Sequence, residues 1–199
     1  RSAYDYLGQG CDFLDDTDGD AQVDMVLGAY GADITGKSDA GTVYVVYGPL
    51  SGKKSVSSVA SGTFTGSGAS EYAGMAVADA GDVNGDGLSD ILVGGYGSSS
   101  GASYGGIAYL ILGPATGSSS LSSAATATIT GSVANNRVGQ TVGRVGDTNN
   151  DGYDEVCVGA PETSASSKVA AVYLFNGPLT GSKKQSDAAW TVTGASTSY

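Results

Sequence analysis

The sequence predicts an all-β chain, a β-propeller of four-stranded antiparallel blades with three blades in these 199 residues. Three observations lead there. One unit recurs three times in register, short Val, Ile, Leu and Tyr runs alternate with turn residues, and no long helical periodicity interrupts them.

The register is carried by Gly8, Gly74 and Gly139, by Asp16, Asp82 and Asp147, and by Tyr44, Tyr109 and Tyr173. Gly48-Pro49, Gly113-Pro114 and Gly177-Pro178 fall in step with them. The copies span about residues 6–71, 72–136 and 137–199. In the first copy, strands are predicted at 8–14, 24–29, 42–47 and 62–65, each bounded by turn signals. The second gives 74–79, 90–95, 107–112 and 126–130, and the third 139–144, 155–160, 171–175 and 190–193. A four-stranded unit of this size cannot bury both of its faces, so neighbouring copies must cover them, radially in a propeller or stacked in a solenoid. Solenoid coils are usually shorter and rarely hold four hairpin-linked strands, which favours the propeller.

The formal charge is −11, so nothing would neutralise phosphates and a nucleic-acid partner is disfavoured. Half of the 20 acidic residues stand at the proposed ligand positions of three short loops, a pattern of cation binding rather than of a disordered acidic tail. Neither a membrane span nor a leader is visible, and the mid-pattern start suggests a mature fragment or a piece of a longer protein. Cys11 and Cys157 fall where other copies carry Val or Leu, and read as buried small hydrophobes ahead of a disulfide.

Between its first two strands each copy carries an acidic nonapeptide: DTDGDAQVD at 16–24, DVNGDGLSD at 82–90 and DTNNDGYDE at 147–155. Oxygen side chains occupy loop positions one, three, five and nine: Asp16, Asp18, Asp20 and Asp24; Asp82, Asn84, Asp86 and Asp90; Asp147, Asn149, Asp151 and Glu155. Alternate spacing aims three side chains at one point, and the ninth closes the site with a bidentate carboxylate. Position seven, occupied by Gln22, Leu88 or Tyr153, adds a backbone carbonyl. Gly or Asn at positions four and six supplies the backbone angles of such a turn, except at Ala21, where strain or a weaker site is expected. Hard anionic oxygens without any histidine select Ca²⁺, one ion per copy and three in all, over transition metals or Mg²⁺. Acidic β-turns account for one such loop but not easily for three in register. An EF-hand fits less well, because its closing acid comes at position twelve and helices flank it.

These residues resemble the FG-GAP repeats of integrin α-subunit propellers and their bacterial relatives. The middle copy carries the likeness as AGMAVADAGDVNGDGLSDILVGGYG followed by GGIAYLILGP, and the third as VGQTVGRVGDTNNDGYDEVCVGAPE with Gly159-Ala160-Pro161 intact. Tyr30 and Tyr96 replace that Pro in the other copies, and the leading aromatic of the Phe-Gly pair is Leu7, Ala73 or Val138. The resemblance implies a propeller holding Ca²⁺ in the hairpin between the first two strands of each blade. It also implies a secreted or cell-surface setting and a non-catalytic role in adhesion or recognition of a protein or glycan. The alternative is an accessory propeller domain of a larger secreted enzyme.

Three blades are fewer than the roughly four to eight that close a ring, so further blades of a longer chain or a second copy must cover the ends. Residues 196–199 align with 70–72, so the chain stops in the phase in which it began. A head-to-tail homodimer forming a six-bladed ring is therefore predicted. Two apparent catalytic motifs fail in context. The phosphate-loop pattern from Gly31 to Ser38 leads into a strand instead of a helix, and the GxSxG pattern from Gly97 to Gly101 has no histidine base. Trp190, Phe64 and the strand-centre tyrosines are expected to pack between blades.

Overall fold

The structure, a computed structural model, describes residues 5–161 and 170–194. Residues 196–199, on which the phase argument for a dimer rests, lie outside the described residues. The first repeat holds β1 (Leu7–Leu14), β2 (Asp24–Ala29), β3 (Thr42–Val46), a single turn of helix α1 (Val56–Val59) and β4 (Gly62–Thr65). The second holds β5 (Ala76–Gly81), β6 (Asp90–Gly95), β7 (Ile107–Ile111), β8 (Gly117–Ser120), the helical turn α2 (Leu121–Ala124) and β9 (Ala127–Thr130). In the third come β10 (Thr141–Gly146), β11 (Glu155–Ala160), β12 (Ala171–Phe175), β13 (Gly181–Lys184), a 3-10 turn at Gln185–Asp187 and β14 (Trp190–Thr193). The fold is all-β, built as three sheets, none of them closed.

Within each repeat the predicted strands pair antiparallel in sequence order. The first strands of the second and third repeats begin two residues later than predicted. Gly74 and Gly139 have φ of 86° and 83°, so the extended ladder starts only beyond them. A larger departure is that β8 pairs parallel with β4, and β13 parallel with β9. The second and third repeats thus each lend a strand to the sheet before them, and the first two sheets have five strands instead of four. The third sheet has four among the described residues.

Side chains from facing sheets form two cores. Between the first and second sheets lie Leu14, Val26, Val43 and Phe64 against Val77, Ile91, Val93 and Tyr109. Between the second and third lie Leu92, Leu110 and Ile129 against Val156, Val158 and Phe175. The middle sheet is covered on both faces, which is why β6 and β7 read as continuous apolar runs with no exposed residue. Each Val, Leu or Ile buried this way contributes about 1.5–3 kcal/mol before ordering costs. Close approach of the sheets needs glycine at two points. A Cβ on Gly28 would stand 1.8 Å from the Gly74 carbonyl oxygen, and one on Gly94 1.9 Å from that of Gly139.

The two end faces differ from the cores. Phe64 is buried as expected, but Trp190 is 62% exposed. Cys11 is exposed and Cys157 half-buried, both as free thiols, so the expectation of buried cysteines does not hold for the chain alone. The physical reason is common to all three. Val77, the counterpart of Cys11, is covered by the sheet of the repeat before it, whereas no repeat precedes Cys11 and none follows Cys157 or Trp190 among the described residues.

Candidate metal centres

Each acidic loop is held open by its own backbone amides. The position-one carboxylate accepts from the amides that follow it: Asp16 from Gly19, Asp20 and Ala21 at 2.7, 3.1 and 2.8 Å, and Asp82 from Gly85, Asp86 and Gly87 at 2.6, 3.0 and 2.8 Å. Asp147 accepts from Asp151 and Gly152 at 3.2 and 3.0 Å. The side-chain oxygens of Asp18, Asn84 and Asn149 accept from the amide of position five. Those of Asp20, Asp86 and Asp151 accept from the amides of Gln22, Leu88 and Tyr153. The amides thus curl the chain around the carboxylate at position one. This winding needs left-handed backbone at positions four and six, and all three loops have it: Gly19 and Ala21, Gly85 and Gly87, Asn150 and Gly152 lie between φ 60° and 91°. Ala21, at 62°, carries the strain of an L side chain there, about 1–2 kcal/mol.

Position nine ties the loop to the sheet. Asp24 is fully buried and takes the Thr17 amide on one oxygen and the Gly48 amide on the other, both at 2.9 Å. Asp90 does the same with Val83 and Gly113 at 2.9 and 3.0 Å. In the third loop Glu155 accepts the Thr148 amide and hydroxyl on one oxygen and the Asn149 side-chain amide on the other. The residue predicted to close the site is therefore also a buried strut between loop and sheet, and spacing alone does not disclose that second task.

The carboxylates converge in two of the three loops. Oxygens of Asp16, Asp18 and Asp24 lie within 4.8 Å of one another, as do those of Asp147, Asp151 and Glu155. Asp20 stays outside the first group, engaged by the Gln22 backbone and side-chain amides. In the middle loop Asp82, Asp86 and Asp90 do not converge to that distance. Asn84 occupies the place of a third acid, and its side-chain amide donates to Asp86 at 2.7 Å. Asn149 does likewise with Asp151, but Glu155, one methylene longer than Asp90, reaches the group.

Electrostatics follow the packing. Desolvation would raise Asp16, yet the amides of Ala21, Gly19, Asp20 and Asp18 outweigh it and hold the carboxyl below its usual range. Asp18 is pushed up by desolvation and by the carboxylates of Asp20, Asp24 and Asp16, against the Asp20 amide. Burial pushes Asp90 up to about 6, opposed by the Gly113 and Val83 amides and reinforced by Asp86 and Asp82.

One cation at this end of the sheets escaped the sequence reading. Arg144 on β10 forms ion pairs with Asp15 at 2.9 Å, Asp79 at 3.0 Å and Asp154 at 2.7 Å, joining all three repeats. Its signal was available, since the repeat places Phe13, Asp79 and Arg144 at one position and only the last is basic. Successive loops are also joined by backbone: the Ser89 amide donates to the Asp16 carbonyl at 2.8 Å, and the Asp154 amide to that of Asp82 at 2.9 Å. The rejected phosphate-loop pattern proves to be a tight turn, with the Ile34 and Lys37 amides each bonded to the other's carbonyl. Among the described residues, no helix is long and apolar enough to cross a membrane. Compared with known protein families and with curated proteins, the chain matches none.

Proposed function

We propose that the chain is a calcium-binding, integrin-like module of the FG-GAP kind, a propeller-type scaffold without catalysis that serves adhesion or recognition of a protein or glycan outside the cell. The observation that carries the reading is the loop built three times, with the same amides curling it and oxygen donors at the same four positions. Its donors fit a hard cation: they are carboxylate and amide oxygens only, and the chain has no histidine. Asp16, Asp18, Asp20 and Asp24 would hold the ion of the first loop, and Asp82, Asn84, Asp86 and Asp90 that of the second. Asp147, Asn149, Asp151 and Glu155 would hold the third, and the carbonyls of Gln22, Leu88 and Tyr153 complete the sets. A bound divalent ion offsets carboxylate repulsion within each loop and fixes it against the sheet through position nine.

Calorimetric titration of metal-stripped protein tests this directly. Uptake of about three Ca²⁺ per chain, with Mg²⁺ weak, is the expected outcome. Folded protein that takes up no Ca²⁺ removes the reading.

A further inference from the structure

The geometry points to a second copy of this chain as the partner that covers both end sheets, seated head to tail so that two chains close on each other. The argument rests on a seam that one chain already builds twice, and it does not depend on the ion.

In both internal seams the later repeat contributes the same parts. Gly117 starts β8, which lies parallel on β4 with Gly62, Thr63, Phe64 and Thr65 opposite Gly117, Ser118, Ser119 and Ser120. Gly181 starts β13, which lies parallel on β9 in the same register. The first residue of each lent strand donates its amide at 2.9 Å, Gly117 to Ser61 and Gly181 to Thr126. A helical turn follows, and from the first of these turns Leu121 is fully buried in the seam. Residues 52–55 occupy the corresponding place in the first repeat. They are exposed and pair with no strand, yet Gly52 already has φ 69°, matching 81° at Gly117 and 71° at Gly181. The turn after them is α1, with Val56 at the place of Leu121. The strand to be lent is in position, and among the described residues it meets no acceptor.

The acceptor stands at the other end. β14 is the counterpart of β4 and β9, and among the described residues no strand lies on its outer edge. Val192 is 43% exposed where Ile129 and Phe64 are 1% and 3% exposed. Trp190, Val172 and Val145 are likewise exposed at places where the middle sheet has buried Ala127, Ala108 and Ala80. A cavity of about 280 Å³ opens beside Val172 and Val192. On the opposite end of the chain a cavity of about 320 Å³ is lined by Leu7, Met25, Leu27, Val46, Leu50 and Val56, the apolar face that in the second repeat is packed away. Backbone approach is complementary as well. Gly28 and Gly94 receive Gly74 and Gly139 of the next repeat, while a Cβ on Gly159 would meet only Thr141 of its own sheet. Gly159 is thus open to the partner's Gly8, whose φ of 89° matches those of Gly74 and Gly139.

In the assembled pair, Gly52, Lys53, Lys54 and Ser55 lie parallel to the partner's Trp190, the partner's Thr191, the partner's Val192 and the partner's Thr193. The Gly52 amide donates to the carbonyl of the partner's Ala189. Cys11, at the place of buried Val77, is covered in the seam, and the same seam forms a second time with the two chains exchanged.

Sedimentation velocity of the chain in saturating Ca²⁺, read beside the rate at which Ellman's reagent labels Cys11, tests the pairing. Expected is a single species of twice 19.6 kDa with slow labelling. Trp190→Asp, and independently Lys54→Pro at the opposite end, should each halve the mass and make Cys11 react at the rate of an exposed thiol, with the circular dichroism spectrum unchanged. Both sites are exposed in the chain, so either variant serves if the other fails to fold. A wild-type chain that runs as a monomer, or as an open series of three and more chains, or that labels at Cys11 as fast as the variants, overturns the proposal.

Discussion

The first and middle loops hold the same backbone path by opposite compromises. The first offers four carboxylates, three of them gathered within 4.8 Å, but sets Ala21 in left-handed backbone. The middle loop has glycine at both left-handed positions, yet fewer acids, and its carboxylates stay apart. Anionic donors and a relaxed turn are therefore separable contributions, and either is enough to keep the curl of amides around position one. The consequence is that variants can weaken the ion and the loop independently.

Removing every ion has the largest expected effect. At Ca²⁺ a hundredfold above Kd, chelation should cost about 2.7 kcal/mol per site, or roughly 5–10 °C in melting temperature for each, read by calorimetry. An unchanged melt in excess chelator would show that both compromises concern turns alone.

Within one loop, Asp90→Ala and Asp86→Ala separate strut from ligand. Asp90→Ala strands the Val83 and Gly113 amides and should cost about 2–5 kcal/mol even without Ca²⁺, measured by urea unfolding. Asp86→Ala removes an exposed carboxylate. It should lower calcium stoichiometry by one while shifting metal-free stability by less than about 1 kcal/mol. Asp39 lies outside the loops and provides the control, as Asn instead of Ala because its φ of 50° disfavours Ala.

The pH dependence of the metal-free chain is a smaller effect. Burial pushes the folded Asp90 carboxyl up to about 6 from an ordinary 3.8, so between those pH values the folded state binds the proton more tightly than the unfolded state. Its contribution to stability is therefore full below pH 3.8 and is lost as pH rises through 6, on the order of 2 kcal/mol. Urea midpoints of wild type and Asp90→Asn across that window should differ in slope, the Asn variant being flatter. Parallel slopes would place the protonation elsewhere.

Smallest is the backbone term. Ala21→Gly should stabilise the first loop by about 0.5–1 kcal/mol, and Gly87→Ala should destabilise the middle one by a similar amount. Equal responses in the two loops would mean that Ala21 is not strained.

Much of this was legible from residues alone. β2, β6 and β11 were placed to the residue, since each starts at the last acid of its loop and is an apolar run covered on both faces in the middle repeat. The curled acidic loops were legible because alternate spacing and left-handed residues recur together. β8 and β13 were not. They read GSSS and GSKK, edge strands with no apolar period, and their partner lies in another repeat. Repeat position places Cys11 in the interior and aromatic bulk places Trp190 there, and both inferences hold only where a neighbouring sheet exists. The strut role of Asp90 depends on Gly113, 23 residues away, and such distant pairings leave no local pattern.

The backward loan of β8 and β13 sets the boundaries of independent folding. A cut between residues 71 and 72, where the sequence period divides, would strip β8 from the first sheet and leave β4 with a raw edge. Sequence periods and autonomous units are therefore offset by one strand, and the interlock couples each repeat's survival to that of its successor. Heat should undo the three together, in one sharp transition, and a minimal fragment worth expressing would begin at the first repeat and run through residue 120.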